Sequence, residues 1–463
     1  MNRNDIAVII CSYNGGDDTI KCIDAVLKSN NVSLDIYVID NASTDDSISL
    51  IRSHFSTHVT IIQNSENLGG SGGFGRGLRL AVEKGYPYIM MLDNDAYVDT
   101  DTIKKLYEYL QENPDVGIVG AKIMMSDDPE RVMDYAKIIN FETFIDESKW
   151  CGKLDCDETK IPRECDFAAA TAAMTRREVL AKCGGMDEEH FIYYDDIELG
   201  YRIKKNGYRV VSLGSAKAWH KSGMRYRSTN TFVRYYITRN RHRFFAKYIP
   251  EKDIERFTEF MLSRAFSYMY GSYYKGRMDI FDTEKYILED FIRDRRGKAG
   301  NRRVNELQKD GYRLIETELS GCKRVLIYPA DDVPEHCVVK LCSRLWTMNS
   351  NIEIVISTAY GMKKKSELCL EKLRDKFKQN NLNIRLEEET NGNLFDKSVH
   401  FCGHVKDITK NILPDIYIDV YGNMIANEQD YYYFRNYEKT YDFFYGLYHD
   451  SVIETINKIR KEG

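Results

Sequence analysis

The chain has 463 residues, which is enough for about two or three domains with sizeable cores. Its formal net charge of -5 argues against general nucleic-acid binding, and 33 tyrosines with only 8 prolines are typical of an ordered protein. The cysteines number 11 and form no Cys-x-x-Cys motif, which favours free thiols in a reducing compartment. Cys151, Cys156 and Cys165 are close in sequence but lack the clear fourth ligand that a zinc site needs.

The first 95 residues alternate between predicted strands and predicted helices. Apolar runs predict strands at 7–11, 34–39 and 59–63, and helical spacing predicts helices at 17–27 and 47–55. This alternation implies right-handed βαβ crossovers and a mostly parallel sheet. Ser12-Tyr13-Asn14 and Asp40 follow two of the strands, so we expect their side chains at one edge of the sheet.

Residues 67–77 form a glycine-rich segment, with six glycines in eleven positions before a predicted helix at 78–84. We expect a loop whose backbone amides approach a phosphate-bearing ligand, with Arg76 adding a charge-assisted contact. The spacing fits neither the Walker motif nor the dinucleotide-binding fingerprint. A flexible linker is the alternative interpretation.

The apolar run 88–92 stops at Asp93-Asn94-Asp95. Two carboxylates one residue apart at the rim of a sheet repel each other unless a cation lies between them. Asp195-Asp196 and Trp219-His220 follow downstream, so the sequence suggests a divalent metal, a general base and a third metal ligand. The alternatives are that Asp95 caps a helix at 102–112, and that the second acidic pair caps a helix at 197–206.

Residues 221–250 are basic and aromatic and contain no acidic residue. Their cations are Arg225, Arg227, Arg234, Arg239, Arg241, Arg243 and Lys247, with Lys221 at the start. Such a stretch could bind RNA, lie on an anionic membrane or line a diphosphate pocket. The alternative is a core-facing aromatic helix with a solvated basic face.

The rest of the chain predicts helices from 252 to 318 and then a small α/β unit. In that unit, strands are expected at 324–328, 352–357, 383–386 and 415–420, with helices at 337–348 and 366–379. No phosphate loop or catalytic cluster occurs there. No apolar run approaches the roughly 20 residues that a membrane span needs, and the first residues do not resemble a signal peptide.

The ordered motifs resemble the inverting family 2 glycosyltransferases of GT-A fold over about residues 5–245. The motifs that carry the resemblance are Ser12-Tyr13-Asn14, Asp40-Asn41-Ala42-Ser43-Thr44-Asp45, the glycine-rich segment 67–77, Asp93-Asn94-Asp95, Thr175-Arg176-Arg177-Glu178, Gly184-Gly185-Met186-Asp187-Glu188 and Tyr194-Asp195-Asp196-Ile197-Glu198-Leu199-Gly200-Tyr201-Arg202. Within the family they are most like bacterial galactofuranosyltransferases, and some rhamnosyltransferases of cell-surface polysaccharide synthesis share them.

The resemblance implies an α/β fold with a mostly parallel GT-A sheet and flanking helices at 1–245. We expect a helical region at 246–320 and a small C-terminal α/β domain of unknown role at 321–463. It also implies a role for each motif. Asp93, Asp95 and His220 would bind Mn²⁺ or Mg²⁺, and Asp196 would be the catalytic base. Asp40 would read the uracil or thymine base, while Arg76, Ser12, Tyr13, Asn14 and Asn94 would contribute to the nucleotide site.

The expected partners are a UDP- or dTDP-sugar donor and a glycan or lipid-linked glycan acceptor. The implied location is the cytoplasmic side of a bacterial cell membrane, with peripheral contact, no nucleic acid, and homo-oligomerisation left open. One departure from the galactofuranosyl relatives concerns the acceptor, because the run 167–173 contains only small residues after Phe167, where those relatives can carry bulky aromatics. Two other functions stay open: a sugar-phosphate nucleotidyltransferase and a non-catalytic polysaccharide-assembly protein.

Overall fold

A computed structural model gives the structure of the chain. It describes residues 4–55, 57–221, 229–300, 302–307, 317–330, 333–377, 383–388, 394–402, 415–418, 424–426 and 428–462. In this part of the chain, no helix combines the length and the apolar character that crossing a bilayer requires.

The N-terminal half folds around a large sheet with a separate hairpin. Its strands are β1 (Ile6–Ser12), β2 (Leu34–Asp40), β3 (Val59–Gln63), β4 (Tyr88–Asp93), β5 (Ala96–Val98), β6 (Val116–Met125), β7 (Val132–Asp134), the hairpin strands β8 (Ile138–Asn140) and β9 (Ile145–Glu147), then β10 (Pro162–Glu164), β11 (Ala172–Arg176) and β12 (Arg209–His220). The order across the sheet is β10-β12-β6-β11-β4-β1-β2-β3, with β5 beside β12 and β7 beside β6.

The sheet is mostly parallel, as the sequence predicts. Strand β1 pairs in parallel with β2 and with β4, β2 pairs in parallel with β3, and β12 pairs in parallel with β6. Strand β11 runs antiparallel between β4 and β6. The apolar runs of the central strands are buried on both faces because helices cover both sides of the sheet. The predicted α/β fold class is therefore confirmed.

Helices lie on the two faces of this sheet. They are α1 (Gly16–Leu27), α2 (Ser47–Phe55), α3 (Gly69–Glu83), α4 (Thr102–Glu112), α5 (Arg177–Cys183) and α6 (Asp195–Lys205). Alternate residues of β1 serve the two cores: Val8 packs with the face that α1, α2 and α4 cover, and Ile9 packs with the face that α3, α5 and α6 cover.

The glycine-rich segment is helical, so the predicted phosphate-binding loop at 67–77 is wrong. Helix α3 begins at Gly69 and passes very close to β1. A Cβ atom on Gly73 would lie 2.2 Å from the Sγ of Cys11, and one on Gly77 would lie 2.2 Å from a methyl carbon of Ile9. These glycines allow the helix to approach the sheet, which is a packing role that periodicity alone does not reveal.

The helical region contains α7 (Phe232–Tyr248), α8 (Ile254–Tyr274) and α9 (Met278–Ile292). Helix α7 carries much of the basic stretch predicted at 221–250, although Arg225 and Arg227 fall outside the described residues. Its aromatic residues pack into a core shared with α8 and α9. The alternative interpretation, a core-facing aromatic helix, is the one that the structure supports.

The basic face of α7 is also packed against protein. Arg239 is only 4% exposed and donates hydrogen bonds to the carbonyl oxygens of His190 and Gly297. Arg243 forms an ion pair with Asp294. Because these arginines bind other parts of the chain, the lipid-facing role predicted for them is wrong.

The C-terminal third forms a second, smaller sheet. Its elements are β13 (Arg324–Tyr328), α10 (Glu335–Met348), β14 (Glu353–Ser357), α11 (Lys363–Lys376), β15 (Ile384–Glu387), β16 (Lys397–Phe401), β17 (Ile416–Ile418), β18 (Met424–Ile425), α12 (Glu428–Phe434) and α13 (Tyr437–Glu462). The order is β15-β14-β13-β16-β17-β18, and the β17–β18 pair is antiparallel. Helix α13 packs back on α8, where Tyr441 and Tyr445 donate to Glu259 and Glu255. The domain boundaries at 245 and 320 stay predictions.

Candidate functional site

The carboxyl ends of three parallel strands meet at one edge of the large sheet. Ser12 at the end of β1 lies opposite Asp40 at the end of β2, and Cys11 lies opposite Asp93 at the end of β4. Ligands of open α/β sheets bind at such an edge because the loops after the strands converge there. The residues that the sequence predicts for donor and metal binding are therefore neighbours.

Asp93, Asp95 and His220 come together at this edge. Strand β12 runs antiparallel to β5 and places His220 opposite Ala96. The Nε2 atom of His220 lies 3.0 Å from Oδ1 of Asp95 and 3.8 Å from Oδ2 of Asp93. One ligand atom from each residue lies within 4.8 Å of the other two. Two carboxylates and an imidazole are a donor set that suits Mn²⁺.

The charges of these three residues also fit a cation. Burial, partly offset by His220, raises the pKa of Asp93. Burial acts in the same direction on Asp95, but the hydrogen bond and charge of His220 outweigh it and lower the pKa of that carboxyl. Burial alone would lower the pKa of His220, yet Asp95 and Asp93 raise it. The two carboxylates therefore favour a positive charge at this position, and a metal ion would supply it while binding the neutral imidazole.

The alternative role of Asp95 as a helix cap is wrong. Helix α4 begins after Asp101, and no side-chain hydrogen bond caps its first turn. Asp95 instead lies in the short turn between β4 and β5 and contacts His220. The position of Asp95 is explained by this contact and not by the helix.

The second acidic pair begins helix α6. An oxygen of Asp196 accepts a hydrogen bond from the backbone N–H of Ala170 at 3.3 Å. Burial is the main cause that raises the pKa of Asp196 to about 7, the charge of Asp195 adds to it, and Lys137 opposes it. Asp195 accepts a hydrogen bond from the hydroxyl of Ser71 at 2.8 Å. A carboxyl with this pKa can accept a proton at neutral pH.

A strained turn presents the second acidic pair. Phe191, Tyr193 and Tyr194 have φ angles of 66°, 65° and 66°, in the left-handed region that bulky residues rarely adopt. The side-chain amide of Asn240 on α7 donates to the carbonyl oxygens of residues 190, 192 and 193 at 2.9–3.0 Å. Helix α7 therefore holds the turn that positions Asp196. No sequence motif pointed to Asn240.

Two adjacent residues connect the metal-binding carboxylates to the second pair. Thr171 donates a hydrogen bond from its hydroxyl to Oδ2 of Asp93 at 2.8 Å, and its carbonyl oxygen accepts one from the N–H of Asp93. The preceding residue, Ala170, donates to Asp196. The sequence marked 167–173 only as a run of small residues. The only indication in the sequence that these residues contact the acidic groups is their position immediately before β11, because their residue types are common.

Three charged residues, Lys137, Asp134 and Asp146, form an ion-pair group near Asp196, and Asp134 also acts on the charge of His220. Lys137 lies 2.8 Å from a carboxylate oxygen of Asp134 and 3.7 Å from one of Asp146. The same lysine lowers the pKa of Asp196 through its charge, although burial and Asp195 prevail. These residues come from β7, β9 and the turn between β7 and β8, where the sequence contains no motif.

The residues predicted for the nucleotide lie around the ends of β1 and β2. Asp40 is fully buried, and its carboxylate accepts the backbone N–H of Ser43. Asn14 has a φ of 49° and accepts the N–H of Thr44 at 2.8 Å. Tyr13 is 45% exposed beside them. The loops after the two strands therefore hold each other, with one aromatic side chain free to contact a ligand.

Asn94, Ser12 and Arg76 have contacts within the protein. Asn94 donates to the hydroxyl of Thr19 at 3.1 Å, and the hydroxyl of Ser12 lies 2.9 Å from the same oxygen. Arg76 lies on α3 and not in a loop, and it donates to the carbonyl oxygen of Gln63 at 2.9 Å. Nucleotide contacts by these residues stay predictions.

The comparison with known proteins matches residues 7–184 to the family described as Glycosyl transferase family 2. The chain is 26% identical over 223 residues to the dTDP-rhamnosyl transferase RfbF of Shigella flexneri, a match that covers 48% of this chain and 71% of that protein. It is 23% identical over 266 residues to the galactofuranosyltransferase GlfT2 of Mycolicibacterium smegmatis, covering 52% of this chain and 40% of that protein.

A solved structure that resembles the chain is the mannosyltransferase PcManGT from Pyrobaculum calidifontis in complex with GDP-Man and Mn²⁺. The TM-score is 0.38 at 19% sequence identity, and the match covers 53% of this chain and 63% of that one. The chain therefore spans less than two thirds of that protein and of GlfT2.

Proposed function

We propose that the chain is a metal-dependent, inverting glycosyltransferase, a proposal that the match of residues 7–184 to Glycosyl transferase family 2 supports. It moves a sugar from a nucleotide-diphosphate donor to a glycan or lipid-linked glycan acceptor. The observation that carries the proposal is the convergence of Asp93, Asp95 and His220 at the sheet edge where Thr171 and Ala170 connect them to Asp196.

Asp93, Asp95 and His220 would hold the metal ion. The set contains two carboxylates and an imidazole, and the Nδ1 atom of His220 is buried without a hydrogen-bond partner among the described residues. The imidazole favours Mn²⁺ over Mg²⁺. When bound, the ion supplies positive charge that neutralises the diphosphate leaving group.

Asp196 acts as the general base in this proposal. Its carboxylate takes the proton from the acceptor hydroxyl as that oxygen attacks the anomeric carbon, and the bond from this carbon to the donor diphosphate breaks. A single in-line displacement inverts the anomeric configuration. The pKa near 7 supports the assignment because a base works best when its pKa is close to the working pH. Asn240 and the strained turn at 191–194 would hold the carboxylate of Asp196 in position for the acceptor hydroxyl.

The donor is a UDP- or dTDP-sugar, with galactofuranose favoured and rhamnose next. RfbF is named as a dTDP-rhamnosyl transferase and GlfT2 as a galactofuranosyltransferase, so the relatives support both sugars and do not decide between them. Asp40 would read the base, and Ser12, Tyr13, Asn14 and Asn94 would line the nucleotide site. Arg76 would add a contact to the nucleotide beside its present hydrogen bonds to the carbonyl oxygen of Gln63 and to Asn64.

A binding experiment with UDP and dTDP, each with and without Mn²⁺, tests the metal-dependent donor site. We expect tight nucleotide binding by the wild type to require Mn²⁺. The Asp93→Ala variant should bind the nucleotide weakly whether or not Mn²⁺ is present. Equal nucleotide binding with and without divalent ions would contradict the proposal. Transfer assays with UDP-galactofuranose, UDP-galactose, UDP-glucose and dTDP-rhamnose then identify the sugar.

The acceptor proposal includes contact with the inner face of a cell membrane, although Arg239 and Arg243 no longer support it. The nucleotidyltransferase and non-catalytic alternatives lose their basis, because the family match assigns residues 7–184 to glycosyl transfer.

A further inference from the structure

A basic cavity is lined by residues of α7, of α9 and of the segment that follows α9. Its volume is about 420 Å³, which lies in the range of small-molecule sites. None of the metal ligands and none of the residues predicted for the nucleotide lines it. The lining contains one carboxylate, that of Asp290, and six cations: Arg239, Arg295, Arg296, Lys298, Arg302 and Arg303.

Hydrogen bonds hold the segment after α9 against α7 and so define the shape of the basic cavity. Arg239 on α7 donates to the carbonyl oxygen of Gly297 at 2.9 Å. The hydroxyl of Tyr236, also on α7, accepts the backbone N–H of Ala299 at 2.7 Å. The lining is therefore built by contacts between two parts of the fold and does not depend on a ligand to form it.

The one carboxylate of the lining is already occupied. Asp290 is 1% exposed, and its two oxygens accept hydrogen bonds from Arg303 at 2.9 Å and 3.0 Å. The same carboxylate accepts one from Arg295 at 3.3 Å and one from the hydroxyl of Tyr235 at 2.6 Å. Arg296 forms its ion pairs with carboxylates outside the lining. Asp290 thus has no capacity left for the other cations.

Three cations of the lining have no carboxylate partner in the part of the chain that the structure describes. Arg239 is 4% exposed, and its guanidinium donates only to neutral oxygens, those of His190, Gly297 and the side chain of Asn240. Lys298 and Arg302 are exposed, and their side chains form no hydrogen bond or ion pair there. A buried cation without an opposite charge destabilises a fold, so this arrangement favours a bound anion.

We infer that the basic cavity binds a small ligand that carries a diphosphate group. Guanidinium groups bind phosphate oxygens through paired N–H donors, and lysine binds them as a point charge. Three cations without a carboxylate partner suit a group with more than one negative charge, and the volume leaves room for a further part of the ligand. The diphosphate could belong to a nucleotide or to an isoprenoid lipid.

Inorganic pyrophosphate is the probe for the basic cavity. We expect saturable binding of one equivalent to the full-length protein by calorimetry, in EDTA and at an ionic strength matched with chloride. Lys298→Gln and Arg302→Gln should each raise the dissociation constant about tenfold, the loss expected for one charge-assisted contact. Arg293→Gln is the matched control, because Arg293 is an exposed cation of the same region outside the lining. Its affinity for pyrophosphate should equal that of the wild type.

Melting temperatures separate ligand binding from a structural role. Lys298→Gln and Arg302→Gln remove exposed side chains without a partner among the described residues, so neither variant should melt at a lower temperature than the wild type when ligand is absent. Pyrophosphate should raise the melting temperature of the wild type and of Arg293→Gln more than that of the two variants. The inference is overturned if pyrophosphate does not bind saturably, or if all three substitutions change its affinity equally.

Two further measurements identify the source of the diphosphate and separate the basic cavity from the donor site. Asp95→Ala should bind pyrophosphate in EDTA as the wild type does, and loss of that binding would place the anion at the metal ligands and refute the basic cavity. UDP and farnesyl diphosphate are then titrated into Asp95→Ala in EDTA, and the tighter ligand indicates a nucleotide or an isoprenoid. The donor proposal has its own readout, because Mn²⁺-dependent UDP binding should stay normal in Lys298→Gln and Arg302→Gln.

Discussion

Replacing Asp196 by Asn tests the assignment of the general base most directly. The side chain keeps its shape, and the amide oxygen can still accept the hydrogen bond from the N–H of Ala170. It cannot accept the proton of the acceptor hydroxyl. We expect turnover to fall by about 10²–10⁴-fold, the usual contribution of general-base catalysis, with nearly unchanged donor affinity.

The pKa of Asp196 sets the expected pH dependence of the wild type. Because burial and the charge of Asp195 raise this pKa to about 7, the carboxyl is mostly protonated in mildly acidic solution. At about pH 6 roughly one tenth of the molecules have the ionised base, so kcat/KM should be about one tenth of its plateau value and level off above pH 7 to 8. The slope should disappear in Asp196→Asn.

The same pKa predicts an effect on stability with a definite sign. A carboxyl whose pKa is raised by folding binds its proton more tightly in the folded state, so its own contribution to stability is greatest at low pH and is lost as pH rises from about 4 to about 7. The full shift corresponds to a loss of up to about 4 kcal/mol. Asp196→Asn removes this loss, so its melting temperature at pH 8 should equal or exceed that of the wild type.

Single-turnover kinetics across the pH range, with donor binding measured by calorimetry, check all three expectations. Asp195→Asn is the matched control, since Asp195 is held by Ser71 and we expect a smaller loss of turnover. Normal turnover in Asp196→Asn, or an unchanged pH profile, would refute the assignment and transfer the role to Asp195 or to the substrate.

Three further predictions concern the metal site and the packing of α3. Asp95→Ala should abolish Mn²⁺-supported UDP binding in calorimetry, and undiminished binding would contradict the metal assignment. Thr171→Val removes the hydrogen bond to Asp93 and should weaken Mn²⁺ affinity about 10–100-fold, the usual effect of losing a group that orients a ligand, whereas Thr171→Ser should restore it. Gly73→Ala should lower the free energy of unfolding by about 1–3 kcal/mol or prevent folding, because its Cβ has no room. Gly446→Ala is the control, because Gly446 lies on α13 and an added Cβ would have no atom within 4 Å. This variant should raise the free energy of unfolding by about 0.5–1 kcal/mol. Equal denaturation midpoints for Gly73→Ala and Gly446→Ala would refute the packing argument.

Strands β1, β2 and β4 of the large sheet could be predicted because their residues are apolar on both faces. The predicted strand at 34–39 lies within β2, and the run 88–92 lies within β4. Buried parallel strands have continuous apolar sequences, and the polar residues that follow them lie at the ligand-binding edge of the sheet. The predicted resemblance to family 2 glycosyltransferases, which rests on those polar residues, agrees with the family match over residues 7–184.

The glycine-rich segment could not be assigned from local preference. Glycine lowers helix propensity, so six glycines in eleven residues favour a loop. Tertiary packing makes the segment helical, because α3 lies so close to Cys11 and Ile9 of β1 that only glycine fits at the contact positions. Only contacts with a strand about 60 residues away reveal why a side chain would be excluded at these positions.

The residues that position the acidic groups were also missed for a physical reason. Thr171 and Asn240 act through hydrogen bonds to chain segments that are distant in sequence, and neither is an unusual residue type for its element. Arg239 belonged to a basic stretch whose charges looked equivalent, and only the fold shows that it is buried against the carbonyl oxygens of His190 and Gly297. Composition predicts a cluster of charge, but the partner of each charge depends on the fold.

The two acidic pairs illustrate how one sheet edge supports two kinds of carboxylate. His220 lowers the pKa of Asp95, so this residue is ionised and ready for a cation. Lys137 also lowers the pKa of Asp196, but burial and the charges of Asp195 and Asp134 outweigh it, and this pKa stays near 7. When two carboxyls in one site have different pKa values, the one with the lower pKa stays ionised and the one with the higher pKa can exchange a proton. If this division is right, releasing Lys137 by removing Asp134 should lower the pKa of Asp196 and shift the pH profile of turnover to lower pH.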